Sequence, residues 1–155
     1  MPGTQQKIQE LDSLEAKSKQ LNEEGKRIVL CHGTFDLIHT GHIRHLQEAK
    51  KQGDLLFATI TADNYVSKGP GRPVFSEVLR AENLSALACV DYVAIVRAPT
   101  AEQPISKIKP HIYVKGKEYK DADNDLTGNI IKEKQLVEKF EGEIYFTDDI
   151  TFSSS

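Results

Sequence analysis

Cysteine is scarce, an excess of basic charge is absent, and no apolar run is long enough to cross a membrane. Each lack removes a class of function. Two cysteines in 155 residues, Cys31 and Cys89, cannot build the disulfide scaffold of a small secreted domain. Both sit in apolar stretches near predicted strands, where a free thiol behaves as a small buried hydrophobe; a nucleophilic Cys31 is the rival reading. With 20 basic and 23 acidic residues the net charge is −3, which gives no general electrostatic case for a nucleic-acid partner. The longest apolar runs, such as Leu55 to Ala58, fall far short of the roughly 20 residues a bilayer span needs. The polar N-terminus has no secretory core, so the expected setting is cytoplasmic, with no membrane partner. HExxH pairs and paired cysteines are missing, which leaves zinc without a motif. The acidic stretch from Asp121 to Asp125 lacks the DxDxDG order of a calcium loop.

What is present is strand alternating with helix. Apolar, β-branched runs at 28–31, 55–60, 90–96, 111–114 and 143–146 read as five strands. Between them, apolar residues at helical spacing predict helices over about 39–52, 76–88, 100–109 and 128–140. Ser76 is the expected cap of the second of these, with Val78, Leu79, Leu84 and Leu87 on its inner side. Thr100 and Gln103 have capping-box spacing for the third. The pattern predicts an α/β, Rossmann-like, doubly wound domain with a mostly parallel five-stranded sheet over residues 26–155. Residues 1–25 precede it as an extension, one amphipathic helix over 5–24 carrying Ile8, Leu11, Leu14 and Leu21 toward the domain or a second subunit.

The stretch from Ile28 to Leu46 carries the chemistry. A short strand runs into Gly33-Thr34-Phe35-Asp36, and a helix opens at His39-Thr40-Gly41-His42. A helix N-terminus after a β-strand is where α/β proteins bind phosphate. His39 and His42, three residues apart, put two imidazoles on one side of the helix opening, and Gly41 between them leaves the backbone open to close approach. Either histidine alone reads as a cap or a surface residue; together with the glycine and the preceding GTFD they suit a polyphosphate. His45 continues the spacing of three, but such steps rotate around a helix, so it reads as a packing or solvated residue rather than a metal ligand. Asp63, at the end of the second strand, lines the site, caps the following helix, or does both. The 67–73 loop, with two glycines, two prolines, Lys68 and Arg72, is either a closing cationic lid or a solvated loop.

GTFD followed by HxGH, set between a strand and a helix, resembles the signature of the cytidylyltransferase-like nucleotidyltransferases. The similarity extends from about Lys7 to the end. Lys115-Gly116 with Tyr119, and Gly71 through Arg80, are similar to the heptose 1-phosphate adenylyltransferase branch. Glycerol-3-phosphate cytidylyltransferases are the next nearest pattern, but Asp148-Asp149-Ile150-Thr151 does not match their Arg-Thr-Glu-Gly run. The resemblance implies transfer of a nucleotidyl group from a nucleoside triphosphate, ATP, to a small phosphorylated acceptor, a sugar phosphate, with release of pyrophosphate. Such a product is a nucleotide-activated sugar, as in lipopolysaccharide precursor synthesis. It implies a homodimer, and Mg2+ arriving with the triphosphate. Catalytic roles fall on His39, His42 and Lys68, with protonated imidazoles the better donors. Nucleotide contacts are implied for Gly33, Thr34, Phe35, Gly41, Lys115, Gly116, Ser153 and Ser154, and phosphate or substrate contacts for Asp36, Asp63, Arg72 and Arg80. Asp36 has two readings, orienting a signature residue or holding the metal. Relatives continue past the serine cluster into a helix, which leaves two readings, a fragment of a longer polypeptide, a bifunctional one among them, or a chain whose following residues are missing. A nucleotide-binding module without turnover stays as the non-enzymatic alternative.

Overall fold

The computed structural model describes residues 4–66, 71, 73–116 and 129–148. Its elements are α1 (Thr4–Lys7), α2 (Leu11–Glu23), β1 (Ile28–Gly33), α3 (Thr40–Lys50), β2 (Leu55–Thr61), a 3-10 turn (Asp63–Tyr65), α4 (Glu77–Ser85), β3 (Tyr92–Val96), α5 (Glu102–Ile108), β4 (Ile112–Lys115), α6 (Asn129–Lys139) and β5 (Glu143–Phe146). The strands form one sheet in the order β3-β2-β1-β4-β5. Every pairing is parallel, where a mostly parallel sheet was expected.

Parallel strands covered on both faces read as continuous apolar runs, and the burial follows that rule. Val29, Cys31, Ala58, Ile60, Val93 and Val114 pack with Leu46 and Ala49 of α3 and Ala81 and Leu84 of α4. On the other face Ile28, Leu30, Phe57, Ala94 and Tyr113 pack with α2, α5 and α6. Leu11, Leu14 and Leu21 of α2 belong to this second core, so the N-terminal segment is built into the domain rather than appended to it.

Three local expectations are corrected. The N-terminal segment is two helices, because Ile8 leaves the helical stripe to bridge Val93, and the Gln9 N–H donates to the Val93 carbonyl at 2.9 Å. Residues 8 and 9 thereby cover the outer edge of β3, a sheet margin otherwise open to pairing. In α4, capped by the Ser76 hydroxyl as expected, Val78 and Leu79 are exposed and Arg80 is the side chain turned inward. At α5 the capping box does not form; Thr100 Oγ1 instead exchanges bonds with the backbone and carboxylate of Glu102.

The join of α6 to β5 gives a sharp test of backbone chemistry. Glu141 has φ 68°, a left-handed conformation costly for a side chain, while a Cβ on Gly142 would lie 2.4 Å from the Pro110 carbonyl oxygen. Glu141→Gly is expected to raise stability by several tenths to about 1 kcal/mol. Gly142→Ala is expected to lower it by about 1–3 kcal/mol. Urea unfolding midpoints of the two variants should move in opposite directions.

Candidate functional site

The order of the strands turns round at β1, whose neighbours β2 and β4 are reached from opposite faces of the sheet. Ligands of open α/β sheets bind at the carboxyl ends of strands at such a point. β1 ends in Gly33, and the turn that follows folds back on itself. Phe35 has φ 51°, and its buried ring lies so close under Gly33 that a Cβ there would stand 3.1 Å from Phe35 Cε2. The same ring meets His42 edge-on, centroids 5.9 Å apart and planes at 68°. Gly33 is therefore needed for packing as well as for access to the backbone.

His39 is the N-cap of α3. Its Nδ1 accepts the Gly41 N–H at 3.0 Å, and His42 Nδ1 accepts the His39 N–H at 3.3 Å. The two rings lie 4.1 Å apart at 33°. The capping role and the site role are thus the same geometry. Because each Nδ1 is an acceptor, the proton of each neutral ring sits on Nε2, on the side of the ring turned from the backbone it caps.

Asp36 resolves toward orientation. Its Oδ2 accepts the Val74 N–H at 2.8 Å and its Oδ1 the Phe75 N–H at 2.9 Å, which fastens the signature turn to the segment leading into α4. Asp63 is the first residue of the 3-10 turn rather than its cap, which is Ala62, and its carboxylate pairs with Arg80 Nη2 at 2.7 Å. Arg80 is corrected more fully. It is 0% exposed, and its donors also reach the carbonyls of Phe75, Thr34 and Thr61. A side chain expected to reach out to phosphate is aimed into the protein. Thr34 contributes its carbonyl to this arginine.

Across the crevice, β4 ends in Lys115 and Gly116. Cys31 pairs with Val114, so the ends of β1 and β4 lie side by side at the carboxyl edge of the sheet. Lys115 shares the sheet face of Tyr113, opposite α3. Its Nζ lies 3.9 Å from Glu133 Oε1, and Glu133 accepts the Tyr113 hydroxyl at 3.0 Å. Lys115, expected to contact the nucleotide, thus stands at the end of β4 with an acidic neighbour.

Two groups escape the sequence reading. Glu133, on α6, is buried together with Tyr113. His32 sits between Thr59 Oγ1, 2.9 Å from Nδ1, and Thr61 Oγ1, 3.4 Å from Nε2. Burial, with Lys115 beside it, pushes His32 down to about 3, so the ring is neutral. The available signal was a histidine interrupting an apolar strand, opposite threonines spaced two apart. His45, read as either a packing or a solvated residue, is half-buried, with Nδ1 2.9 Å from Thr147 Oγ1. Glu48 of the same helix accepts from the Tyr145 hydroxyl and the Asp148 N–H, so α3 is tied to the end of β5. Burial pushes the Cys31 thiol up to about 12, which makes it a core thiol and no nucleophile; Cys89 is also free. Lys68, Arg72, Tyr119, the Asp121–Asp125 stretch, Ser153 and Ser154 lie outside the described residues. Among the described residues, no three metal-binding side chains come together and no helix is long and apolar enough to cross a membrane.

A profile of the cytidylyltransferase-like family matches residues 30–155. The bifunctional protein HldE of a Nitratiruptor species is 39% identical over 141 residues, and that of Geotalea uraniireducens 38% over 145. These matches cover 90% and 92% of this chain but only 30% and 28% of those proteins, so the chain spans under a third of the curated relatives it matches. Among solved structures it is similar to the lipopolysaccharide core biosynthesis protein from Thermoplasma volcanium, with 25% identity and a TM-score of 0.67 over 82% of this chain and 100% of that one. Pantoate-beta-alanine ligase from Francisella tularensis shares the fold, at 14% identity and a TM-score of 0.62 over 95% of this chain and 68% of that one.

Proposed function

The chain belongs to the cytidylyltransferase-like family of nucleotidyltransferases, and from that premise we propose that it transfers the adenylyl group of ATP to a sugar 1-phosphate of the heptose class. A phosphate oxygen of the acceptor attacks the α-phosphorus and forms a P–O bond. The α–β bridge bond breaks, and pyrophosphate leaves with the electron pair. The nucleophile is already anionic, so the protein need supply only position and charge stabilisation. The observation that carries the reading is the His39–His42 pair at the head of α3, each ring accepting a backbone N–H through Nδ1 just after the turn that ends β1. Mg2+ enters as the triphosphate's own counter-ion, and no step is routed through it.

The sugar-phosphate acceptor is supported by the pattern at Lys115-Gly116 and Gly71 to Arg80, and by the names of the relatives. A homodimer remains part of the proposal, although the α2 stripe is occupied by this domain's own sheet. The test is pyrophosphate release from each of ATP, CTP, GTP and UTP against heptose 1-phosphate, other sugar 1-phosphates and glycerol 3-phosphate. ATP with heptose 1-phosphate is expected to turn over fastest. A preference for CTP with glycerol 3-phosphate would move the chain to the other branch. Nucleotide binding without release from any pair would make it a binding module.

A further inference from the structure

Resting on the nucleotidyl-transfer reading, we infer that Arg80 is a positioning residue for His42, acting through the left-handed turn at Phe35 and never touching phosphate. A guanidinium taken wholly out of water is costly unless its donors are met. Arg80 Nε donates to the Phe75 carbonyl at 3.1 Å, Nη1 to those of Thr34 at 2.9 Å and Thr61 at 2.7 Å, and Nη2 to Asp63 Oδ1 at 2.7 Å. These four acceptors lie on three separate stretches: the signature turn, the end of β2 with its 3-10 turn, and the approach to α4. One planar fork joins all three at the carboxyl edge of the sheet, a task for which lysine's single ammonium is unsuited.

The bond to Thr34 is the one that reaches the site. The Thr34 carbonyl and the Phe35 N–H share one peptide plane, so holding that oxygen sets the φ of Phe35. Phe35 is the single signature residue described with positive φ, at 51°, a conformation that persists only where its surroundings impose it. On its far side Asp36 accepts the Val74 and Phe75 N–H groups, and Arg80 Nε donates to the Phe75 carbonyl, closing a ring of bonds about the turn. The Phe35 ring so placed stands edge-on to His42, 5.9 Å between centroids. The line of force is Arg80, the 34–35 peptide, the Phe35 ring, then the imidazole.

Arg80→Lys and Phe35→Leu test it, the second leaving every Arg80 bond in place. Both are expected to lower kcat by about 10- to 100-fold, the scale of a small misplacement of a catalytic group, with KM for the nucleotide changed under about threefold. Both should also move the imidazole NMR resonances of His42 while leaving those of His111 in place. His111 is held on another part of the protein by Ile28 N–H and Asn22. Folded Arg80→Lys with unchanged kcat and an unmoved His42 would overturn the inference. A loss confined to KM would overturn it too, in favour of a direct phosphate contact. If Arg80→Lys does not fold, Phe35→Leu decides alone: an unmoved His42 overturns the inference. Absence of turnover in the unsubstituted protein would count against the nucleotidyl-transfer reading, and the His42 resonance would still decide the role of Arg80.

Discussion

Replacing His42 with alanine is expected to lower turnover about 10²- to 10³-fold at saturating substrates, the usual loss when one preorganised donor is removed from a developing oxyanion. The same substitution is expected to lower folding stability by only about 1–2 kcal/mol, because what it removes from the fold is a cap and two ring contacts, edge-on with Phe35 and tilted with His39. The two jobs of the ring belong to different nitrogens, and a second substitution separates them. In His42→Asn the amide oxygen stands near the place of Nδ1 and can again accept the His39 N–H, but nothing replaces the Nε2 donor. Stability should return toward that of the unsubstituted protein while turnover stays low. Pyrophosphate release and urea unfolding read the two effects independently. Near-normal turnover in the asparagine variant would remove the Nε2 donor from the mechanism.

That separation could not be framed from the sequence. The signature, its place between strand and helix, and the strand-helix alternation were all legible, because a buried parallel strand writes itself as an apolar run and a helix as a period. What the sequence hid were the partners. Ile8 fits the helical spacing of α2 as well as it fits a bridge to Val93, and periodicity does not see the edge of a strand far along the chain. Val78 and Leu79 look like an inner face, yet Arg80 is the side chain that turns inward. The reason lies in three carbonyls, of Thr34, Thr61 and Phe75, which no residue type announces. Lys115 reads in the sequence as a cation available to phosphate because Glu133 stands 18 positions on, in a helix whose docking face is set by tertiary packing. Residue identities gave the chemistry available at the site; the acceptors that hold these side chains are backbone carbonyls and carboxylates brought together only by tertiary packing.

His32 makes the fold acid-sensitive, starting at a pH above the ordinary carboxylate range. In the folded protein its value is about 3, held down by burial first and by Lys115 second, against about 6.5 when exposed. Between those values the unfolded chain binds a proton that the folded chain does not. Stability therefore rises with pH across this window, is whole above about 6.5, and drains as pH falls toward 3. One proton of difference gives a slope of about 1.4 kcal/mol per pH unit near pH 5. Over two units that is a sizeable part of the roughly 5–15 kcal/mol that holds an ordinary domain together. His111 adds in the same direction, since partial burial and then Arg27 lower it, so its contribution has to be taken out. Glu77, held below its ordinary value by the Asp63 N–H despite burial and helped by Arg97, acts with the same sign at lower pH. The measurement is unfolding free energy in urea from pH 7 to 4.5 for the unsubstituted protein, His32→Asn and His111→Asn. The slope near pH 5 is expected to fall by about 1 kcal/mol per unit or more in His32→Asn, and by less in His111→Asn. A His32→Asn slope equal to that of the unsubstituted protein would mean that His32 carries its proton in the fold, and that the Thr59–His32–Thr61 contact is a charged one.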